Sequence, residues 1–162
     1  MLVLILEMSG RPGVRIGELL VSAGLLTRNA LEQALQEQET VGGRLGEILV
    51  RRGCIHEHDL TQILSNRASV AWVTLGYVEF TRELLSLIPA ELAQELNLIP
   101  VFFRVERTKE KILYVAVDDP TNFGAMERVA QHTGMHVRPL LAPASEIRRA
   151  VRQHYFGEEP RE

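Results

Sequence analysis

The sequence repeats one pattern of residues after an interval of 29 positions. Residues 15–38 align with residues 44–67 without a gap, and nine of the 24 aligned positions are identical. The identities include one arginine, Arg15 in the first copy and Arg44 in the second, and two glycines in each copy. Packing alone selects apolar residues, so an arginine that returns at the same place predicts a repeated unit with a role beyond packing.

The first copy predicts two short helices joined at a glycine. Gly24 ends the first helix, predicted over 15–22, because glycine takes the left-handed conformation at little cost. Thr27 caps the second helix, which Gly42 and the glycine after it terminate. The predicted buried face of the first helix comprises Ile16, Leu19, Leu20 and Ala23.

The second copy predicts the same arrangement, with helices over 44–51 and 57–68 on either side of Gly53. Each copy is a helical hairpin too small to bury its own apolar face. We therefore expect the two copies to pack together.

The residues after the repeat predict a different kind of structure. Extended chain over 70–80 and helices near 81–87 and 89–96 form a connector, and the apolar period then changes from that of helices to that of strands. Two strands, a helix, a third strand and a final helix follow, so the fold class is α+β. The predicted organisation is an apolar lead over 1–13, the tandem helical repeat over 14–69, the connector over 70–97, a ββαβα subdomain over 98–157 and a tail over 158–162.

Composition excludes several classes of function. A net charge of -3 and an isoelectric point near 6.0 argue against nucleic-acid binding, which requires a basic surface. The single Cys54 excludes an internal disulfide and fits a reducing compartment. The apolar run Met1–Leu6 is far shorter than the roughly 20 residues that span a bilayer. We expect a cytoplasmic protein without direct membrane insertion.

The repeated arginine and glycines have two interpretations. Arg15 and Arg44 offer donors to a phosphate or a guanine edge, and a helix start exposes unpaired N–H groups that suit anions. Alternatively, the arginines pair with nearby carboxylates and the glycines only allow close packing of helices.

The duplicated motif, Arg-(Ile/Leu)-Gly followed by Gly and a closing Gln, resembles the N-terminal domain of type II secretion and type IV pilus assembly ATPases. The likeness continues through Leu84–Pro89, Leu98–Pro100 and Ala116–Pro120. In part of that family, called the MshEN domain, the tandem motif binds cyclic di-GMP, and the resemblance implies this ligand here. It implies as ligand contacts Arg15, Ile16, Gly17, Gly24, Leu25, Gln38, Arg44, Leu45, Gly46, Gly53, Ile55 and Arg67. Arg67 stands where the second motif has its closing Gln; it can donate to a base but cannot accept.

Other chemistry-bearing residues do not predict a catalytic or metal site. The chain has no Gly-Lys dipeptide, so it lacks the phosphate-binding loop of the ATPase motor and is expected to be a stand-alone adaptor or a fragment. Asp118 and Asp119 precede Pro120 and predict a turn and a helix cap rather than paired catalytic carboxylates. The group Cys54, His56, His58 and Asp59 matches no zinc spacing. We expect no enzyme activity, no metal and no cofactor.

Two functions remain open from the sequence. The first is a cyclic di-GMP sensor with Arg15 and Arg44 as anchors. The second is a protein-interaction module that docks a secretion or pilus ATPase motor, or an inner-membrane platform protein, with a purely structural repeat. The aromatic residues Trp72, Tyr77 and Phe80 either seal the fold or anchor such a partner.

Overall fold

The computed structural model describes the backbone of residues 12–159 and the side chains of residues 16–159. The apolar run Met1–Leu6, most of the predicted lead and the last three residues of the predicted tail lie outside the described residues. The chain divides into two compact units, the first ending at Leu60 and the second beginning at Thr61.

Four helices carry the tandem repeat, and the fourth crosses the division between the units. Their bounds are α1 Pro12–Ser22, α2 Arg28–Val41, α3 Leu45–Arg51 and α4 Glu57–Ala68. Helix α1 begins three residues before the predicted start at Arg15. Proline is a favoured first residue of a helix, since its fixed φ suits the first turn and its missing N–H is not needed there. The predicted helix start at Arg15 is therefore wrong.

The backbone of the two copies repeats with the interval of the sequence. The N–H of Gly24 donates to the carbonyl of Val21 at 3.0 Å, and the N–H of Gly53 donates to the carbonyl of Val50 at 3.0 Å. Both glycines have positive φ, +74° and +71°. The next hydrogen bonds repeat as well, from Leu25 to Leu20 at 3.0 Å and from Cys54 to Leu49 at 2.9 Å. The sequence repeat is thus a repeat of local structure.

Helices α1, α2 and α3 contact one another in the first unit, as the sequence predicts for two copies that cannot bury their faces alone. The fully buried side chains of this unit are Leu20, Leu31, Ala34, Leu45, Ile48 and Leu49. The predicted buried face of α1 is partly wrong. Leu19 is 37% exposed and Ala23 is exposed, whereas Leu20 is completely buried.

The second unit is built around a three-stranded sheet with helices before, between and after the strands. After a short 3-10 helix at Leu75–Tyr77 come α5 Arg82–Ser86, α6 Ala90–Leu96, β1 Ile99–Val105, β2 Lys111–Val117, α7 Phe123–Thr133, β3 His136–Leu141 and α8 Ala144–Phe156. The strands stand in the order β1-β2-β3, antiparallel and then parallel. The predicted α+β class and the ββαβα order are confirmed.

The connector adds to the edge of this sheet. The N–H of Val73 donates to the carbonyl of Leu141 at 2.8 Å, and the N–H of Leu141 donates to the carbonyl of Ala71 at 2.8 Å. Trp72 thereby forms a parallel bridge with Leu141 at the outer side of β3. The extended chain predicted over 70–80 is thus present at residues 71–73, where it pairs with β3, but the prediction is wrong at Leu75–Tyr77, which form the 3-10 helix.

Candidate functional site

The tandem repeat contains the candidate residues, and Arg44 is the best defined of its charged ones. Arg44 is the residue before α3, in extended conformation, so its side chain stands at the turn between α2 and α3. Its Nη2 donates to Oε1 of Glu47 at 2.6 Å and its Nε donates to the same oxygen at 3.2 Å. The Arg44 and Glu47 side chains are 45% and 50% exposed, so an anion in solvent can reach this guanidinium.

Gln38 lies against the same turn. Its side-chain Nε2 donates to the backbone carbonyl of Gly43 at 3.0 Å, and its backbone carbonyl accepts from the N–H of Gly42 at 2.9 Å. Gln38 therefore holds the segment that carries Arg44, and the structure brings these two candidates together. A side chain that fixes the backbone before an arginine restricts where that arginine can reach.

Gly17 and Gly46 serve helix packing in both copies. A Cβ on Gly17 would lie 2.3 Å from Cδ1 of Leu31, and a Cβ on Gly46 would lie 2.9 Å from Cδ2 of Leu60. The two leucines are separated by the same 29 residues as the two glycines. The packing interpretation of these glycines thus has direct support, and it does not require a ligand.

The aliphatic candidates fall into two groups. Ile16 and Leu45 are buried in the first unit, and Ile55 is only 7% exposed. Leu25 is 40% exposed, because it follows the exposed turn at Gly24. Leu25 and Ile55 are not equivalent positions of the repeat, since Leu25 has the backbone position of Cys54 and Leu26 that of Ile55. In the first copy, Leu25 and Leu19 can therefore contact a ligand without rearrangement.

Gly24 and Gly53 form the turns described above, and the last two candidates, Arg15 and Arg67, lie at the ends of the repeat. The backbone of Arg15 belongs to α1, but its side chain lies outside the described residues. The helix start near Arg15 that we expected to bind anions is three residues away, at Pro12. Arg67 is exposed in the last turn of α4 and belongs to the second unit, unlike the other candidates.

An ion pair that the sequence analysis missed joins the two helices of the first copy. Arg28 donates from Nη1 and Nη2 to the two carboxylate oxygens of Glu18 at 3.1 and 3.0 Å. These hydrogen bonds from Arg28 lower the pKa of Glu18, and those to Glu18 raise the pKa of Arg28. The repeat gave no signal for this pair, because Glu18 is repeated as Glu47 whereas Arg28 is replaced by Glu57 in the second copy.

A second group of charges joins α2 to the end of α3. Arg51 and Arg52 both donate to Glu37, Arg52 at 2.8 Å, and Arg52 also donates to Oε1 of Gln33 at 2.9 Å. Hydrogen bonds from Arg52 and Arg51 hold the pKa of Glu37 below its usual range. Both partner arginines are therefore engaged within the first unit, and the cluster is best described as a link between helices.

The residues after β2 form the predicted turn, but the predicted helix cap at Asp118 and Asp119 is wrong. Asp119 accepts from the N–H and Oγ1 of Thr121 in a turn, while the cap of α7 is Asn122, whose Oδ1 accepts from the N–H of Ala125. Within residues 16–159, no three His, Cys, Asp or Glu side chains are placed to hold a metal ion. Over the same part of the chain, no helix is long and apolar enough to cross a membrane.

The three aromatic residues of the connector differ in burial. Phe80 packs against the core of the second unit and its ring centroid lies 4.4 Å from that of His154. Trp72 is half exposed and Tyr77 is 93% exposed. Phe80 therefore stabilises the second unit, whereas Tyr77 has a surface available to a partner.

The fold matches solved structures of one family. The structure of MshE with cyclic di-GMP (cdg) has a TM-score of 0.70 and 25% identity, and the match covers 86% of this chain and 98% of that one. The N-terminal domain of XpsE has a TM-score of 0.67 and 21% identity, with 90% and 98% of the two chains covered. The XpsE likeness supports the fold alone.

Curated proteins give the same assignment from sequence. The type IV pilus assembly ATPase PilB of Thermus thermophilus is 35% identical over 141 residues, covering 87% of this chain and 16% of its own length. PilB of Myxococcus xanthus is 32% identical over 146 residues, covering 90% and 25%. The chain thus spans between about a sixth and a quarter of the length of these relatives.

The MshEN domain family model matches residues 68–161. The chain therefore belongs to the MshEN domain family, the N-terminal domain of pilus and secretion ATPases, as the repeat motif predicted. The match falls mainly on the connector and the ββαβα subdomain. All of the candidate ligand residues lie outside the matched range.

Proposed function

We propose that this chain is a regulatory and docking module whose tandem repeat binds cyclic di-GMP. The observation that carries the proposal is the likeness to MshE with cyclic di-GMP over most of both chains. The repeat adds chemical support, since cyclic di-GMP has two phosphates and two guanines and the chain has two copies of one motif. The module acts on the cytoplasmic side, beside a pilus or secretion ATPase motor.

The exposed residues of the first unit suit this ligand. The Arg44 guanidinium can donate two parallel hydrogen bonds to a phosphate, and Gln38 fixes the turn before it. The exposed Leu25 and Leu19 can cover the face of a purine. The buried Ile16, Leu45 and Ile55 contribute by holding the helices that carry these groups.

Titration calorimetry with cyclic di-GMP tests the proposal. We expect Arg44→Ala to weaken binding about ten- to a hundredfold, because a hydrogen bond to a charged group contributes about 1.5–3 kcal/mol. Arg128→Ala is the matched control, since Arg128 is an exposed arginine that pairs with Glu95 through both oxygens at 2.7 and 3.2 Å in the second unit. This control variant should bind as the unchanged protein does.

A negative result is equally clear. Absence of heat and of a melting shift at about 100 µM cyclic di-GMP would refute the sensor, because a ligand with micromolar affinity adds about 2.7 kcal/mol at a hundredfold excess over its dissociation constant.

A second function, docking of a motor or platform protein without nucleotide, is favoured by the exposed ring of Tyr77. Aromatic residues contribute strongly to protein interfaces. Capture of the motor that survives Arg15→Ala plus Arg44→Ala but is lost in Tyr77→Ala supports this function over the sensor. Loss of capture in the double arginine variant, with folding intact, would mean that the repeat is more than a scaffold.

A further inference from the structure

The proposed phosphate anchor already has an anionic partner within its own helix turn. Two donors of Arg44, Nε and Nη2, converge on Oε1 of Glu47 at 3.2 and 2.6 Å. A phosphate that binds arginine in a bidentate manner uses two neighbouring donors of this kind. Glu47 and a phosphate oxygen therefore compete for the same edge of the guanidinium.

In the first copy, the equivalent glutamate has a partner on the next helix. Both oxygens of Glu18 accept from Arg28, at 3.1 and 3.0 Å. The residue equivalent to Arg28 in the second copy is Glu57, a carboxylate that cannot donate to Glu47. The exchange of Arg28 for Glu57 thus removes the partner that would draw Glu47 away from Arg44.

We propose that Glu47 is an internal competitor that lowers the affinity of the second copy for a phosphodiester ligand. The proposal rests on the function proposed above, because it concerns the same arginine. Glu47 is a positioning residue that acts through Arg44. The ligand must replace the Glu47 carboxylate, which then turns to solvent.

The exposure of the pair limits the size of the effect. Both side chains are about half exposed, and such ion pairs are weak because water and salt screen them. Exposed pairs of this kind correspond to a change of roughly two- to fivefold in an equilibrium constant. Glu47 therefore adjusts the affinity of the site and does not close it.

Calorimetry with cyclic di-GMP on Glu47→Gln and Glu18→Gln tests the competition. Both variants remove one carboxylate charge at equivalent repeat positions, so they form a matched pair. We expect Glu47→Gln to bind roughly two- to fivefold more tightly than the unchanged protein, and Glu18→Gln to bind equally. Glu47→Ala should also bind more tightly, which excludes a contact made by the new amide.

A double-variant cycle links the effect to Arg44. In the Arg44→Ala background, Glu47→Gln should change the affinity for cyclic di-GMP by less than about twofold, because the guanidinium for which Glu47 and the phosphate compete is absent. The side-chain Nε–H signal of Arg44 in NMR spectra should also show slower exchange with water in the unchanged protein than in Glu47→Ala. This second readout requires no ligand.

The outcomes separate the two proposals. If the unchanged protein binds cyclic di-GMP but Glu47→Gln binds equally or more weakly, the competitor is refuted and the proposed function stands. If the unchanged protein and both Gln variants fail to bind, the proposed function fails and the competitor fails with it. If Glu47→Gln binds cyclic di-GMP while the unchanged protein and Glu18→Gln do not, both proposals are supported.

Discussion

The two copies of the repeat share a backbone and differ in surface. Each copy has a positive-φ glycine at the turn between helices and a helix glycine placed against a leucine of the following helix. Their side chains diverge outside these positions, since Leu19 is 37% exposed and its equivalent Ile48 is 1% exposed. The glycines and core leucines thus give both copies the same scaffold, while the exposure of the other side chains differs between the copies.

Ionic partners diverge in the same way. Among the side chains of residues 16–159, Glu18 pairs with Arg28 of the next helix and Glu47 pairs with Arg44 at the start of its own helix. Among the described side chains, a ligand on this repeat would therefore meet different groups in the two copies. The first copy offers exposed apolar side chains, and the second offers a guanidinium that a neighbouring carboxylate already contacts.

The largest difference between the copies should appear in stability when Ile48 and Leu19 are each changed to Ala. We expect Ile48→Ala to cost about 3 kcal/mol, because it leaves a cavity in the core, and Leu19→Ala to cost less than about 1 kcal/mol. Urea unfolding followed by circular dichroism measures both. Equal costs would mean that Leu19 is as buried in solution as Ile48 and that the copies are alike.

Gly17→Ala and Gly46→Ala provide the next contrast. The added Cβ of Gly17→Ala lies 2.3 Å from a methyl group of the fully buried Leu31, whereas that of Gly46→Ala lies 2.9 Å from the half-buried Leu60. We expect a loss of about 1–3 kcal/mol for Gly17→Ala and less for Gly46→Ala, because Leu60 has room to move. The same unfolding measurement applies, and a larger loss for Gly46→Ala would contradict the geometry.

The helices and turns of the repeat can largely be predicted from the sequence, because the pattern of apolar residues and glycines occurs twice. Gly24 and Gly53 fixed the turns, and Thr27 caps α2 by accepting from the N–H of Ala30 at 3.2 Å, as predicted. The predicted start of α1 is wrong because the repeated motif begins at Arg15, whereas the helix begins at Pro12, a favoured first-turn residue that lies before the motif.

The surface of the candidate site was much less predictable. A helical period gives the direction of Leu19 but not whether another helix covers it, so its exposure depends on tertiary packing. The partners of Glu18 and Glu47 depend on side-chain conformations and on a residue ten positions away. Such contacts between exposed residues leave little trace in the apolar pattern.

The role of the exposed apolar residues of the first copy, Leu19 and Leu25, in ligand binding can be tested with Leu25→Ser. Cys54→Ser changes the equivalent position of the second copy. We expect Leu25→Ser to weaken cyclic di-GMP binding about three- to tenfold, because burying an aliphatic side chain contributes about 1 kcal/mol or more. Cys54→Ser should have a smaller effect, since Cys54 is less exposed and smaller. Calorimetry measures both, and a larger loss in Cys54→Ser would contradict this role of the first copy.

The smallest expected effect concerns acid stability. Hydrogen bonds from arginine lower the pKa of Glu18 and of Glu37 in the folded state. Their contribution is therefore present above the unfolded pKa of about 4.3 and is lost as pH falls through the lower folded pKa. The melting temperature of Glu37→Gln should lie below that of the unchanged protein at pH 7 and approach it near pH 3. Glu127→Gln, an exposed change on α7, is the control, and a gap that persists at pH 3 contradicts the linkage.

In the proposed function, cyclic di-GMP binds the tandem repeat rather than the ββαβα subdomain. Backbone NMR spectra recorded during a cyclic di-GMP titration test this directly. We expect the amides whose signals shift to lie mainly between residues 16 and 55, with the largest changes near Leu25 and Arg44. Shifts concentrated in the strands between residues 99 and 141, or no shifts at all, would contradict this expectation.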